Sequence, residues 1–115
     1  MDRVWLKQYE AGVRPHVEYP DVPVTQFLED AVAKFPNNVA TIFGNGSMDA
    51  ELTYAELNDL VNCFANALTA LGVKKGDRVA IYMPNCPQFI IAYFGTLKIG
   101  GIVAPVNPLY TPREL

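Results

Sequence analysis

The side chains that could do chemistry in this sequence are few, and they do not converge. Cys86 stands in MPNCP (83–87), at the start of a helical pattern, where the helix dipole can lower a thiol pKa. A thiolate nucleophile also needs a base beside it. His16 is the only histidine. It sits in a proline-rich opening, with no spacing that turns it toward Cys86. Cys86 therefore reads as a small neutral thiol, and Cys63, beside an apolar helical stripe, as packing. The two cysteines lack a CxxC-type metal spacing. Lys74-Lys75 could hold a phosphate, but beside Gly76-Asp77 the pair fits a solvated turn. GNGS (44–47) is glycine-rich, yet it lacks the lysine and Ser/Thr of a P-loop and leads into no helix. Asp30, Asp59 and the other acids fall on polar helix faces, so no carboxylate pair is visible. Residue types and spacing assign no catalytic, cofactor-binding or metal-binding residue.

The elements that would position these groups are easier to read. Residues 1–22 carry Pro15 and Pro20 among scattered aromatics and read as an extended lead-in; 23–115 read as an α/β core piece. A first helix is expected over about 24–35, with Val24, Phe27, Leu28, Ala31, Val32 and Phe35 at helical spacing and Pro36 as its stop. Val39–Phe43 reads as a strand, GNG (44–46) as a turn and Glu51–Thr53 as the return strand of a hairpin. In the second helix Thr53 and Glu56 match a capping box. Leu57, Leu60, Val61, Phe64, Leu68 and Leu71 form its apolar stripe, and Gly72 follows as the C-terminal stop.

KKGD (74–77) turns into the apolar strand RVAIYM (78–83). A third helix should then run from after Asn85 to about Ile99, apolar around most of its circumference and hence buried on more than one side. IVAPV (102–106) is a further strand. Strand, long helical crossover and strand make a right-handed parallel βαβ unit. The fold class is thus α/β: part of a doubly wound, three-layer domain, with an N-terminal helix and a β-hairpin. Gly100-Gly101 is better suited to ending the third helix and packing it closely than to cradling an anion.

Open parallel sheets bind ligands beyond the carboxyl ends of their strands. Those ends are Met83-Pro84-Asn85-Cys86 and Val106-Asn107-Pro108. Asn85 and Asn107 could contact a ligand there. The structural alternative, which their residue type favours, has Asn85 capping the third helix and Asn107 shaping a turn.

The totals narrow the classes. The chain has 115 residues, 50% hydrophobic and 18% charged, which describes one globular domain at most. A net charge of −3 without a basic run offers nucleic acid phosphates no attraction. Val79–Leu97 is the longest nearly uncharged stretch, but Pro84, Asn85 and Pro87 break it, so it does not read as a membrane span. A reduced cytoplasmic setting is the default. In TPREL (111–115), Thr111, Pro112 and Glu114 write a helix start without a helix, and a parallel sheet needs cover on both faces where only two strands and three helices are available. The expectation is a chain cut from a larger domain.

LTYAEL (52–57), KKGDRVAIYMPN (74–85) and LKIGGIVAPVNPLYTPREL (97–115) together resemble adenylate-forming (AMP-binding) acyl-CoA synthetases, above all bacterial long-chain fatty-acid–CoA ligases. VWLKQY (4–9) resembles the Trp-containing opening of that subgroup. The resemblance implies that residues 1–115 are the N-terminal part of the large adenylating domain. It implies ATP, Mg²⁺ and CoA as the parent's cofactors and co-substrates, and a fatty acid carboxylate that becomes first an acyl-adenylate and then acyl-CoA. The family's phosphate loop, acidic magnesium ligand, ribose-binding aspartate and mobile lysine have no counterparts here, so the fragment is expected to be structural and inactive by itself. An aryl-acid–CoA ligase or a peptide-synthetase adenylation domain is the alternative within the superfamily, and a small non-catalytic α/β interaction module the alternative outside it. The parent is expected in the cytoplasm, with room for peripheral membrane association, and the fragment is expected to self-associate as a dimer through its uncovered edge.

Overall fold

A computed structural model describes residues 4–14, 16–44 and 49–114. The core elements follow in the expected order: α1 (Val24–Lys34), β1 (Val39–Phe43), β2 (Ala50–Thr53), α2 (Tyr54–Ala70), β3 (Arg78–Tyr82), α3 (Pro87–Lys98) and β4 (Ile102–Val106). β1 and β2 pair antiparallel, with a register shift between Val39 and Thr41 that marks a bulge. β3 and β4 pair parallel, Arg78 opposite Ile102 through Tyr82 opposite Val106. These are two separate two-stranded sheets. The GNG turn falls largely on residues 45–48, outside the described residues. The lead-in is not wholly extended, because Val4–Gln8 form a 3-10 turn with no buried residue.

Local signals set the helix ends. Thr53 Oγ1 accepts the Glu56 backbone N–H at 3.3 Å, and Glu56 Oε2 accepts the Thr53 backbone N–H at 2.9 Å, a complete capping box. The Thr53 backbone N–H, and then the Thr53 hydroxyl donating to Oε2 at 2.8 Å, hold the Glu56 carboxyl below its ordinary pKa. At the other end Gly72 takes φ +89°, and the N–H groups of Gly72 and Val73 bond back to Thr69 and Leu68. Gly100, at φ +75°, ends α3 the same way, with Gly100 and Gly101 bonding to Leu97 and Thr96. Both are Schellman motifs, where positive φ favours glycine.

The core centres on Leu28, Leu57 and Val61, with Val32, Ala40, Leu52, Tyr54, Ile90, Ile91 and Phe94 packed around it. α3 lies close on α2. A Cβ added at Gly95 would stand 2.8 Å from Phe64 Cδ1 and 3.1 Å from the Val61 carbonyl oxygen, so only glycine fits. Thr96 is fully buried and donates its hydroxyl to Ala92 O at 2.7 Å, which satisfies it inside the helix. Lys98 Nζ reaches across to Asn58 Oδ1 and Asn62 Oδ1, both at 2.8 Å, and lies 3.9 Å from Glu29 on α1.

Several apolar positions are less covered than their periodicity suggests. On α1 only Leu28 is buried, while Val24, Phe27 and Phe35 are exposed. On α2, Leu60 and Leu71 are exposed, and so is Cys63, which corrects its reading as packing. α3 buries Ala92, Gly95 and Thr96, but its large apolar residues are half-buried rather than enclosed on several sides. The cause is common to all: periodicity marks which faces are apolar, but tertiary neighbours decide which are covered. The radius of gyration, 18.3 Å, exceeds the roughly 13 Å of a compact domain of this length.

Two outcomes are expected. Glu56 has its carboxyl lowered in the fold, so its stabilising contribution is present above the ordinary carboxylate pKa and is lost as the pH falls through the lowered one. Denaturation of Glu56→Gln should therefore vary less with pH across the acid range than that of the native chain, and Thr53→Ala should cost about 1 kcal/mol near neutrality. Gly95→Ala gains about 1 kcal/mol of helix propensity but drives a methyl into a backbone carbonyl, at a cost of about 1–3 kcal/mol. Urea unfolding should show a net loss of stability.

Candidate functional site

The parallel sheet gives the chain a defined ligand-side edge. Two connections align the two strands at their starts, Gly76 N–H to Gly100 O at 2.9 Å and Ile102 N–H to Asp77 O at 2.7 Å, while Lys74 N–H to Asp77 Oδ2 at 2.7 Å closes the turn before β3. Lys74-Lys75 thus sits in the expected exposed turn, with the Lys75 stem lying against Gly100. Because the strands start level and pair in register, their carboxyl ends emerge together.

Beyond those ends lies a crevice of about 600 Å³, flanked by Met83–Asn85 and Phe89 on one side and Pro105–Tyr110 on the other. The sequence-based location of a ligand site therefore matches a real concavity, and Asn85 and Asn107 both line it. Their roles differ from those expected in one respect. Asn107 shapes a turn, accepting the Leu109 N–H on Oδ1 at 3.0 Å. Asn85 does not cap α3: the cap position belongs to Cys86, whose side chain makes no capping bond, and Pro87 occupies the first turn. Proline at this place removes an N–H that would otherwise want an acceptor, so the helix starts without a side-chain cap.

A tether that spacing did not reveal holds the far wall. The Tyr82 hydroxyl donates to Pro108 O at 2.9 Å, joining the end of β3 to the loop after β4. No local signal marks it, since the partners are far apart in sequence. The Lys98 cluster was likewise missed; Asn58 and Asn62, one turn apart on α2, are its only sequence trace.

A second hollow, about 280 Å³, lies between β1 and the start of α3 and is lined by Thr41–Phe43 and by Asn85–Pro87 with Phe89 and Ile90. Cys86 belongs to this hollow and His16 does not line either one. Near the end of the described chain, Glu114 Oε2 accepts the backbone N–H of Thr111 at 2.9 Å and its hydroxyl at 2.7 Å, which lowers the Glu114 carboxyl pKa. That is half of the expected capping pattern, followed by a turn over 112–114. Among the described residues no group of three or more His, Cys, Asp or Glu side chains could hold a metal, and no helix is long and apolar enough to cross a membrane.

This fold is shared with known proteins. The AMP-binding enzyme family matches residues 28–115, and the chain belongs to that family. Among individual relatives, a long-chain-fatty-acid–CoA ligase of Yersinia pestis is 42% identical over 118 aligned residues, covering all of this chain and 20% of that protein. Mycobacterium tuberculosis fatty acyl CoA synthetase matches in structure with TM-score 0.69 at 36% identity, over 77% of this chain and 17% of that one. The N-terminal subdomain of Klebsiella oxytoca NpsA matches with TM-score 0.72 at 31% identity, over 79% and 23%. The chain spans about a fifth of the length of the curated relatives it matches.

The tether is open to a direct check. Tyr82→Phe removes one exposed hydrogen bond and should cost less than about 1 kcal/mol of global stability. Hydrogen exchange at the Leu109 and Tyr110 amides should nevertheless accelerate, because the loop loses its anchor on β3.

Proposed function

We propose that the chain is the N-terminal part of the adenylating domain of a long-chain fatty-acid–CoA ligase. The observation that carries this is the extent of the match. The family profile begins at residue 28, but the likeness to the Yersinia pestis ligase continues through the lead-in to cover the whole chain. The described residues of the lead-in are mostly exposed and none is buried, so core packing does not explain why its sequence resembles that of the fatty-acyl enzymes.

The reaction of the parent proceeds in two displacements. A fatty acid carboxylate oxygen forms a bond to the α-phosphorus of ATP, and the bond to pyrophosphate breaks. The CoA sulfur then bonds to the acyl carbon, and AMP leaves. In that reaction this chain acts as framework. It fixes the carboxyl ends of β3 and β4 side by side and walls the crevice beyond them with Phe89, Pro105, Pro108 and Leu109, apolar surface that keeps water from a reactive acyl phosphate. The described residues do not fit a magnesium site, since no acidic cluster converges, and no step through the metal is assigned to them.

The test is an exchange assay on the full reading frame that contains this sequence. The purified parent should exchange labelled pyrophosphate into ATP with long-chain fatty acids, and the 115-residue chain alone should not. Exchange only with aryl acids or amino acids would move the parent to the branch of aryl-acid ligases and peptide-synthetase domains. Turnover of ATP by the isolated chain would overturn the framework role.

A further inference from the structure

Asn107–Tyr110 is a hydrogen-bonded turn: the Tyr110 N–H donates to Asn107 O at 3.0 Å, with Pro108 and Leu109 between them. Turns of this kind have two forms that differ by half a rotation of the central peptide, here Pro108–Leu109. Proline is compatible with both, because its ring fixes φ and leaves ψ free. Leu109 selects between them. No described non-glycine residue has a positive φ, and the flipped form requires one at this position. Two hydrogen bonds then hold the same peptide from opposite ends. Its N–H, on Leu109, donates to Asn107 Oδ1 at 3.0 Å, and its oxygen, on Pro108, accepts the Tyr82 hydroxyl at 2.9 Å. The Asn107 bond is internal to the turn and fixes the peptide only relative to it. The Tyr82 bond comes from the last residue of β3, so it fixes the peptide relative to the sheet.

We propose that Tyr82 is a positioning residue for adenylation: it clamps the Pro108–Leu109 peptide in one orientation, so that this wall of the crevice is set before an acyl-adenylate forms. The inference rests on the ligase reading above. Pro108, Leu109 and Tyr110 all line the crevice, so the orientation of that one peptide decides how the wall is presented. A wall ordered in advance shields the intermediate from the moment it forms, whereas a loose wall must first be ordered and admits water meanwhile. Water that reaches the intermediate bonds through its oxygen to the acyl carbon and gives a proton to solvent. The bond to the phosphate oxygen breaks, and fatty acid and AMP leave without a thioester being made. Tyr82 acts through the loop and not on the substrate, because the single proton of its hydroxyl is committed to Pro108 O.

The experiment uses the full reading frame that contains this sequence, with ATP and a long-chain fatty acid but no CoA. It reads AMP release relative to pyrophosphate exchange. Losing one ordinary hydrogen bond changes the population of the released loop by up to about fivefold. Tyr82→Phe should therefore raise that ratio by about two- to fivefold, with pyrophosphate exchange itself little changed. Asn107→Ala should also raise it, and the double variant should show less than the product of the two effects, because both bonds hold one peptide. Thr53→Ala, which weakens the cap of α2 outside the crevice, should leave the ratio where it is. An unchanged ratio in Tyr82→Phe, an equal rise in Thr53→Ala, or fully multiplicative effects at Tyr82 and Asn107 would overturn the proposal. Exchange with a different acid would remove the fatty-acyl reading and leave the clamp standing, since the ratio is then read with that acid. A parent that exchanges with no acid at all would overturn both.

Discussion

The distance at which α3 lies on α2 sets the rest of the structure. At Gly95 the Val61 carbonyl comes within 3.1 Å of where a side chain would begin, so the two helices meet almost backbone to backbone. α3 is the crossover between β3 and β4, and its seat on α2 therefore fixes where the sheet lies relative to the helical layer. The next turn extends the constraint. Thr96 is buried, its carbonyl accepts the Gly101 N–H, and a Cβ at Gly101 would stand 2.9 Å from its methyl group. Glycine at this corner lets the chain leave the helix and enter β4 beside the turn that feeds β3. A few small residues, rather than the large apolar ones, thereby determine that the two carboxyl ends open on the same side.

Around that rigid centre the cover is uneven. One face of the sheet carries α3, while Ala80, Tyr82 and Ile102 on the opposite face are exposed. Parallel sheets are ordinarily covered on both faces, so this layer is stabilised from one side only. The helical layer compensates in part through polar contacts. Lys98 is largely buried and makes two short bonds to neutral asparagine oxygens, whereas its acidic neighbour Glu29 is half-exposed and farther away. The asparagines, more than the ion pair, meet the hydrogen-bonding demand of the buried ammonium, because an exposed pair at that distance contributes little.

Much of this was legible in the sequence where the signal is local. The Thr53–Glu56 box, the glycines after α2 and α3, and the turn ending at Asp77 each act within a few residues, and all appear where spacing placed them. The differences lie in one local shift and in positions whose deciding neighbour is distant. Asn85 has the residue type of a cap, but the chain makes its turn one residue later, at Cys86. Leu60 and Phe27 carry the right period and stay exposed, because the packing of neighbouring elements, which spacing does not encode, leaves them only partly covered. The bulge in β1, the Tyr82–Pro108 tether and the Lys98 cluster depend on pairings across the fold and leave almost no trace in linear spacing. The location of the crevice was legible because it follows from topology; its inner bonding was not.

That bonding bears on the framework role proposed for the crevice. Two polar groups at the crevice are committed to shaping it. Asn107 holds the turn through the Leu109 N–H, and the Tyr82 hydroxyl holds the loop through Pro108. A group already engaged in this way must break a bond before it can bind substrate, which favours a rigid wall over a reactive one. Met83, Phe89, Pro105, Val106 and Leu109 add apolar side chains that cannot polarise a bond. A mostly apolar surface of this kind serves adenylation chemistry when charged and nucleophilic groups are brought against it from elsewhere, and the proposed framework role in a longer adenylating enzyme fits both its placement and that lining.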